Sequence, residues 1–380
     1  MSDNTHNLAS LAPVHLTLET TSTCNLRCIM CKHHRPGIGH KNHVMNMDLF
    51  QSVLEELSNS IGFVCLTVTG DTFCDPLLSS RLASIKRHPK LTIEIITNGH
   101  LLTEQNLRPF QGMRNPLYIT VSVDSPYDLT YSSIRGGRGV SVPLENLKKL
   151  KKLAQTLEIE EINQGISFVM MKRTILGLIP FLSIAAELGC DKFSTSHLIV
   201  VDETLGAESL FQYPVFTNYT IAAAREKALE LGLQFHAPPF FAVTEQEILS
   251  YKSCRITRCD YLERRLTVGA DGRVEACCNF LDPIPILGNS LKEPVMSVWN
   301  GERRSLYRQA LREDNPLFPC NNCCILELDK EYLFASEPFG VSCPPELRNT
   351  EQTPDLKKEG FFLLSAEDAE EEIASKLASL

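Results

Sequence analysis

Cys24-Asn25-Leu26-Arg27-Cys28-Ile29-Met30-Cys31 is the stretch on which the reading of this chain turns. It follows an alternating apolar run, Val14-His15-Leu16-Thr17-Leu18-Glu19, which the period-two pattern predicts as a short first strand. Three thiols spaced four and then three residues apart, in a loop leaving a strand, can converge on one metal centre. Three is one ligand short of a closed structural zinc site or a fully ligated cubane cluster. A centre left open in this way is reactive, because its free position goes to a substrate or cofactor. Zinc completed by His33 or His34 is the alternative, but a ligand so soon after the last thiol is geometrically tight. The residues favour an iron–sulfur cluster with one open iron.

The composition is that of an ordinary globular protein: 380 residues, 43% hydrophobic and 22% charged, enough for one large domain and a smaller one. A net charge of −9 argues against a general nucleic-acid binder, which needs a basic face. No apolar run reaches the roughly 18 residues of a membrane span, and the first residues lack a basic-then-apolar signal pattern. The expectation is a cytoplasmic protein with no nucleic-acid or membrane partner. The 14 cysteines are unevenly placed, which in a reducing compartment points to metal or catalytic sites. Eight of them lie between Cys254 and Cys343, so a second centre is expected there. Cys65, Cys74 and Cys190 sit in or beside apolar runs and read as small buried hydrophobes.

Past the cysteine loop, strands alternate with helices. An apolar stripe of Leu49, Phe50, Val53, Leu54 and Leu57 predicts a helix over 47–59. Strands are predicted at 63–68, 91–96, 117–123, 162–170 and 192–201. Helices fall between them at 77–86, after the N-cap Thr103, at 142–157 and at 175–188, the last stopped by Gly189. A further helix covers 216–231 before an extended piece at 233–237. Six strand–helix units mean an α/β fold, a partial (β/α)6 barrel with a parallel sheet. Chemistry in such folds collects at the carboxyl ends of the strands. Thr69, Thr97, Asp124 and Asp202 all fall there, on the rim that carries the cysteines.

Pro238-Pro239 marks the boundary, giving a tail over 1–13, the barrel over 14–238, a cysteine-rich unit over 239–330 and an extension over 331–380 with an acidic helix. In the third unit, strands 265–268 and 273–276 flank Gly269-Ala270-Asp271-Gly272, a hairpin signal. One helix is predicted over 295–311, before Cys320-Asn321-Asn322-Cys323-Cys324. This small hairpin–helix unit has too little core to stand without a metal. From spacing alone its four thiols suit zinc or iron–sulfur equally.

Cysteines spaced CxxxCxxC directly after the first strand of a partial barrel resemble the radical SAM superfamily. That resemblance implies a 4Fe–4S cluster on Cys24, Cys28 and Cys31, whose open iron is chelated by S-adenosylmethionine. Thr69-Gly70-Asp71 stands where the family has a Gly-Gly-Glu-like segment, so Gly70 and Asp71 are expected at the methionyl amino group. Thr97-Asn98 and Ser122-Val123-Asp124 match family contacts to the methionyl and ribose groups. Ser133-Ile134-Arg135-Gly136-Gly137 resembles the family's Ile-Arg-Gly-Gly turn, with Arg135 facing the carboxylate.

Cys259, Asp271-Gly272, Cys277, Leu287-Gly288-Asn289, Trp299-Asn300-Gly301, Arg308 and Cys320-x-x-Cys323 resemble the SPASM/twitch extension in order and spacing. This implies a second, auxiliary 4Fe–4S cluster on Cys259, Cys277, Cys320 and Cys323, with Cys254, Cys278 and Cys324 as spare neighbours. The expected activity is radical oxidation or epimerisation of a sugar, cyclitol or other small polar metabolite, served by an electron donor such as flavodoxin or ferredoxin. The short segment before the first strand tilts the expectation toward a small molecule. Peptide or protein maturation is the alternative, and a non-catalytic iron–sulfur or zinc carrier the other class. An oxidation needs a base, for which His197, Asp202 and Glu203 are candidates. An epimerisation needs a hydrogen-donating thiol, for which Cys343 is the candidate.

Overall fold

The computed structural model describes residues 12–31, 33, 42–200, 203–238, 240–241, 259–277, 285–318 and 320. Asp202, Cys323, Cys343, the three spare cysteines and the acidic tail lie outside the described residues, and of Glu203 only the backbone is described.

Among the described residues the sheet has ten strands in the order β10-β9-β8-β1-β2-β3-β4-β5-β6-β7. The first seven are β1 (His15–Leu18), β2 (Phe63–Cys65), β3 (Thr92–Thr97), β4 (Leu117–Ser122), β5 (Ile162–Met170), β6 (Lys192–His197) and β7 (Gln234–His236). Each pairs in parallel with its sequence neighbour, the singly wound order of a partial (β/α) barrel. The connections include α1 (Met47–Leu57), α2 (Leu78–Ile85), α3 (Glu104–Leu107), α4 (Asp128–Ile134), α5 (Ser141–Thr156), α6 (Leu178–Glu187), α7 (Glu203–Gly206) and α8 (Pro214–Glu230).

Strand alternation separates two faces. Ile93, Ile95, Leu117, Ile119, Val121, Ile166, Phe168 and Phe193 are fully buried in the main core with the helices. Their neighbours Glu94, Ile96, Tyr118, Thr120, Ser122 and Ser194 stand on the opposite, concave face and are not fully buried. The predicted stripe on α1 is the stripe that packs, and Asn46 caps that helix by accepting from the Asp48 N–H at 2.6 Å. Gly189 ends α6 at φ +74°, as its position predicts.

Three expectations are corrected. The second strand ends at Cys65, not at 68. Thr67 leaves the ladder because its hydroxyl both accepts from the Ile96 N–H (3.2 Å) and donates to the Ile96 carbonyl (3.0 Å), taking the place of a backbone pair. The helix predicted over 295–311 is two, Val295–Trp299 and Glu302–Arg312, broken at Asn300-Gly301. A Cβ at Gly301 would lie 3.1 Å from the Ser297 and Val298 carbonyl oxygens, a tight approach at the break. Helix α4 and strand β10 (Ile286–Asn289) were not predicted at all.

The cysteine-rich unit continues the barrel's sheet. Strand β8 (Arg265–Val268) pairs in parallel with β1 across four residues, and β9 (Arg273–Glu275) and β10 follow antiparallel. Leu262, Leu266, Val274 and Trp299 join the same core as the barrel strands. Glu56 of α1 adds a second tie by accepting from the Val295 and Met296 N–H groups at 3.0 and 2.8 Å, at the start of the helix Val295–Trp299.

Candidate cluster and cofactor site

The chain enters the cysteine loop along Thr20, Thr21 and Ser22, all buried. Gly70 lies flat against them at φ +70°, where a Cβ would come within 2.7 Å of Thr21, Ser22 and Thr23 backbone atoms. The next N–H, of Asp71, donates to the Thr23 carbonyl at 2.9 Å. The Asp71 carboxylate is 1% exposed and both its oxygens are engaged. Oδ1 accepts from the Phe73 N–H at 3.0 Å and caps the turn Thr72–Cys74; Oδ2 accepts from the Thr97 hydroxyl and the Asn98 N–H, each at 2.8 Å. Burial raises its pKa, and these three hydrogen bonds oppose the rise. Asp71 thus binds the turn after β2 to the end of β3. Asn98 carries the tie onward: its Nδ2 donates to Asn25 Oδ1 at 2.7 Å and stands 3.9 Å from Cys24 Sγ.

Cys74 corrects a sequence expectation. It is half-buried, not a core residue, and its thiol points to Asn25 Oδ1 at 3.9 Å. Cys65 and Cys190 are buried as expected.

The other wall of the loop is built on Arg135. Its Nε and Nη2 both meet Asp124 Oδ2, at 2.7 and 2.6 Å, and its Nη1 lies 3.5 Å from Cys28 Sγ. Asp124 is fully buried and spends its second oxygen on the Val169 N–H at 3.0 Å. The Ile29 N–H donates to the Ile134 carbonyl, and Ile29 and Met30 pack on Ile134, Met171 and Leu198. The three cysteines are therefore pinned from both sides, by the β2–β3 end through Asn25 and by the β4–β5 end through Arg135.

The donor chemistry suits iron–sulfur ligation. Cys24, Cys28 and Cys31 are half-buried. Burial first, with Asp71, Cys28 and Cys74 adding negative charge, pushes the Cys24 thiol up to about 12. Arg135 places a positive charge beside the sulfur of Cys28, where a cluster's own negative charge would fall. Of the two histidines in the zinc alternative, His33 has one imidazole nitrogen at the Ser22 carbonyl, 2.6 Å away, and His34 lies outside the described residues. Among the described residues no three His, Cys, Asp or Glu side chains are gathered as a single-ion site.

Of the second set, Cys259, Cys277 and Cys320 are half-buried. Cys259 starts the short helix Asp260–Arg264, and Cys277 follows β9. Cys320 lies near Tyr307, whose phenol is pushed up by burial and then by that thiol.

His197 stands apart from the cysteine loop. Ser194 and Ser196 take the concave face of β6, while His197 stacks on Phe241 at 4.5 Å and tilts against Phe211 at 6.1 Å. Burial lowers its pKa to about 4, so the ring is neutral at pH 7, and Nε2 has no partner among the described residues.

Comparison with known families decides the assignment. The model of the Radical SAM superfamily matches residues 18–159, and that of SPASM, an iron–sulfur cluster-binding domain, matches residues 259–324. The chain carries a radical SAM domain and, C-terminal to it, a SPASM domain. This radical SAM chain is 25% identical to the tungsten-containing aldehyde ferredoxin oxidoreductase cofactor-modifying protein of Pyrococcus furiosus, over 82% of its own length and 87% of the relative's. Its fold is similar to that of SuiB of Streptococcus suis bound to S-adenosylmethionine, with a TM-score of 0.64, 14% identity, and coverage of 84% of this chain and 72% of the other. It is also similar to anSMEcpe with bound AdoMet and Cp18Cys peptide, with a TM-score of 0.58, 16% identity, and coverage of 84% and 88%.

The radical SAM domain makes this protein an enzyme of the 5′-deoxyadenosyl-radical class. Among the described residues no helix is long and apolar enough to cross a membrane. Sequence reading missed Asn25 and Arg81 as parts of the radical SAM site. Arg81 is fully buried, pairs with Asp75 at 2.6 Å and donates to the Thr20 and Met45 carbonyls, holding the chain on both sides of the loop. The only available signal was an acidic residue and an arginine six positions apart around the start of α2.

Proposed function

We propose that this enzyme modifies a peptide or protein substrate laid along the concave face of its sheet, next to the cysteine loop. When bound, a 4Fe–4S cluster on Cys24, Cys28 and Cys31 together with S-adenosylmethionine supplies the 5′-deoxyadenosyl radical that removes a substrate hydrogen. The observation that carries the substrate reading is the character of that face. Thr120, Ser122, Ser167, Ser194 and Ser196 line it with short hydroxyls, none of them fully buried. Such a floor offers hydrogen bonds to a main chain while leaving room for its side chains. The anSMEcpe structure with its peptide, on a similar fold, supports the same class of substrate.

Asp71 and Asp124, with their oxygens engaged by the chain, act as positioning groups that fix Asn98 and Arg135. Contacts to S-adenosylmethionine then fall to the backbone at Gly70, to Thr97 and Asn98, to Ser122 and to the outer edge of Arg135. Cys259, Cys277, Cys320 and Cys323 hold the auxiliary 4Fe–4S cluster. Neutral His197 lies on the aromatic side of β6, so it is the weaker base candidate beside Asp202 and Glu203.

A small polar molecule is the second reading, favoured by the match, over 82% of this chain and 87% of the relative, to a cofactor-modifying protein. The two separate in one experiment. Reconstituted, reduced enzyme is given S-adenosylmethionine and host extract split into peptide and small-molecule fractions, and 5′-deoxyadenosine is quantified. Stimulation by the peptide fraction that protease treatment abolishes is the expected result. Stimulation confined to the protease-resistant small-molecule fraction overturns the peptide reading.

A further inference from the structure

Arg304 is a fully buried cation with no carboxylate partner among the described residues. Its guanidinium lies over the Trp299 ring, 3.6 Å from the centroid. Nε donates to the Leu262 carbonyl at 3.1 Å, and Nη2 to the carbonyls of Tyr261 at 2.9 Å and Arg265 at 2.7 Å. These groups close the short helix whose first residue follows Cys259. Nη1 is buried and has no acceptor among the described residues. The nearby carboxylate, Glu263, is taken by Arg308 at 3.7 Å and Arg312 at 3.2 Å. Burial first, and then the Arg308 charge, pull the Arg304 proton affinity down to about 8, while Cys259 acts in the opposite sense.

A buried, uncompensated guanidinium with a spare donor is costly unless an anion stands against it. The three described auxiliary cysteines supply the location for one. Cys259 precedes the helix Asp260–Arg264, whose Tyr261 and Leu262 carbonyls Arg304 holds, and it couples electrostatically to Arg304. Cys277 comes two residues after Glu275, which faces Thr267, so the antiparallel register carries it to the level of Arg265, whose carbonyl Nη2 holds. Cys320 couples to Tyr307, one turn along from Arg304 on the helix Glu302–Arg312. An iron–sulfur cluster held by thiolates carries negative charge, and hydrogen bonds to its sulfurs raise its reduction potential.

We propose that Arg304 is a positioning residue for the auxiliary cluster: its unengaged Nη1 donates to a cluster or cysteine sulfur and raises the potential at which that cluster takes an electron. Arg308, which also stacks on Trp299 but has its Nε engaged by the Leu262 carbonyl at 2.8 Å and is paired with Glu263, does not share the role. The inference rests on the auxiliary-cluster reading above.

The test uses full-length chain carrying Cys24→Ala, Cys28→Ala and Cys31→Ala, reconstituted anaerobically so that only the auxiliary centre remains. About four irons per chain are expected; zinc alone, or no metal, sinks the auxiliary-cluster reading itself. In this background Arg304→Lys and Arg304→Gln are titrated by EPR-monitored potentiometry, with Arg308→Gln as control. The expected result is a reduced-to-oxidised ratio about tenfold lower at fixed poise in Arg304→Gln, which is 59 mV for a one-electron couple. A smaller shift is expected in Arg304→Lys and none in Arg308→Gln. An Arg304 variant that keeps its iron and the parent midpoint overturns the proposal. Should both variants lose iron, the parent is labelled with 15N-arginine and the reduced cluster examined by pulsed EPR. A nitrogen coupling that survives Arg308→Gln supports the proposal, and no coupling overturns it.

Discussion

Replacing Asp124 by alanine tests whether the cysteine loop is held as described. The carboxylate is fully buried and the Arg135 side chain is 9% exposed, with Nε and Nη2 at 2.7 and 2.6 Å from one oxygen. Removing one partner of such a pair leaves a buried guanidinium uncompensated, a loss of about 3–5 kcal/mol. The Val169 N–H also loses its acceptor, but it shares the same network, so the two effects do not simply add. At roughly 1 °C per kcal/mol for a chain of this size, the melting temperature falls by on the order of 5 °C. Asp124→Asn keeps an acceptor for Val169 and a neutral one for Arg135, and should lose about half as much. The double variant Asp124→Leu/Arg135→Met removes both charges and should recover most of the stability. It should not recover the first cluster's properties, because Arg135 Nη1 no longer faces Cys28. Thermal melts of the reconstituted proteins, paired with EPR of the first cluster, read both effects. An Asp124→Ala variant within about 1 kcal/mol of the parent would refute the buried pair as the anchor of the loop.

His197 makes stability pH-dependent. Its ordinary value of 6.5 is lowered to about 4 in the fold, so its contribution is present above pH 6.5 and is lost as pH falls toward 4. The full difference is about 3 kcal/mol. His197→Phe, which keeps an aromatic ring against Phe241, should therefore lose less stability than the parent between pH 7 and pH 5 in denaturant melts; equal losses would contradict the buried neutral imidazole. Gly70→Ala forces an L-residue to φ +70°, which costs about 1–2 kcal/mol before any clash with Thr21–Thr23 is counted. Its expected signature is loss of iron from the first site with the auxiliary centre retained, measured by iron analysis and EPR; full retention of both would show that the close approach is dispensable.

What was legible in the sequence is what burial writes as a period. The stripe on α1, the alternation of β4 and β5 and the stop at Gly189 each follow from which side of an element meets the core. The interrupted helix at Asn300-Gly301 was hidden because its apolar spacing runs on through the break. β10 was hidden because it is short and its partner β9 supplies the pairing. The addition of β8 to β1 could not be read locally at all, since it joins residues about 250 positions apart.

The same limit explains the acidic residues at the strand ends. Asp71 and Asp124 stand where a parallel barrel gathers its chemistry, and each carries an acceptor of the kind a cofactor's ammonium or hydroxyls require. Their partners, however, come from 26 and 45 positions away, Thr97 for one and Val169 for the other. Once those bonds are made, neither carboxylate has a free, exposed oxygen to offer. The anchoring of the cysteine loop and the recognition of a ligand are therefore done by different groups: buried carboxylates set the first, and the half-exposed hydroxyl of Ser122 beside them is left for the second. Substitutions at Ser122 should then alter cofactor or substrate affinity with little effect on melting temperature, the reverse of the pattern expected at Asp124.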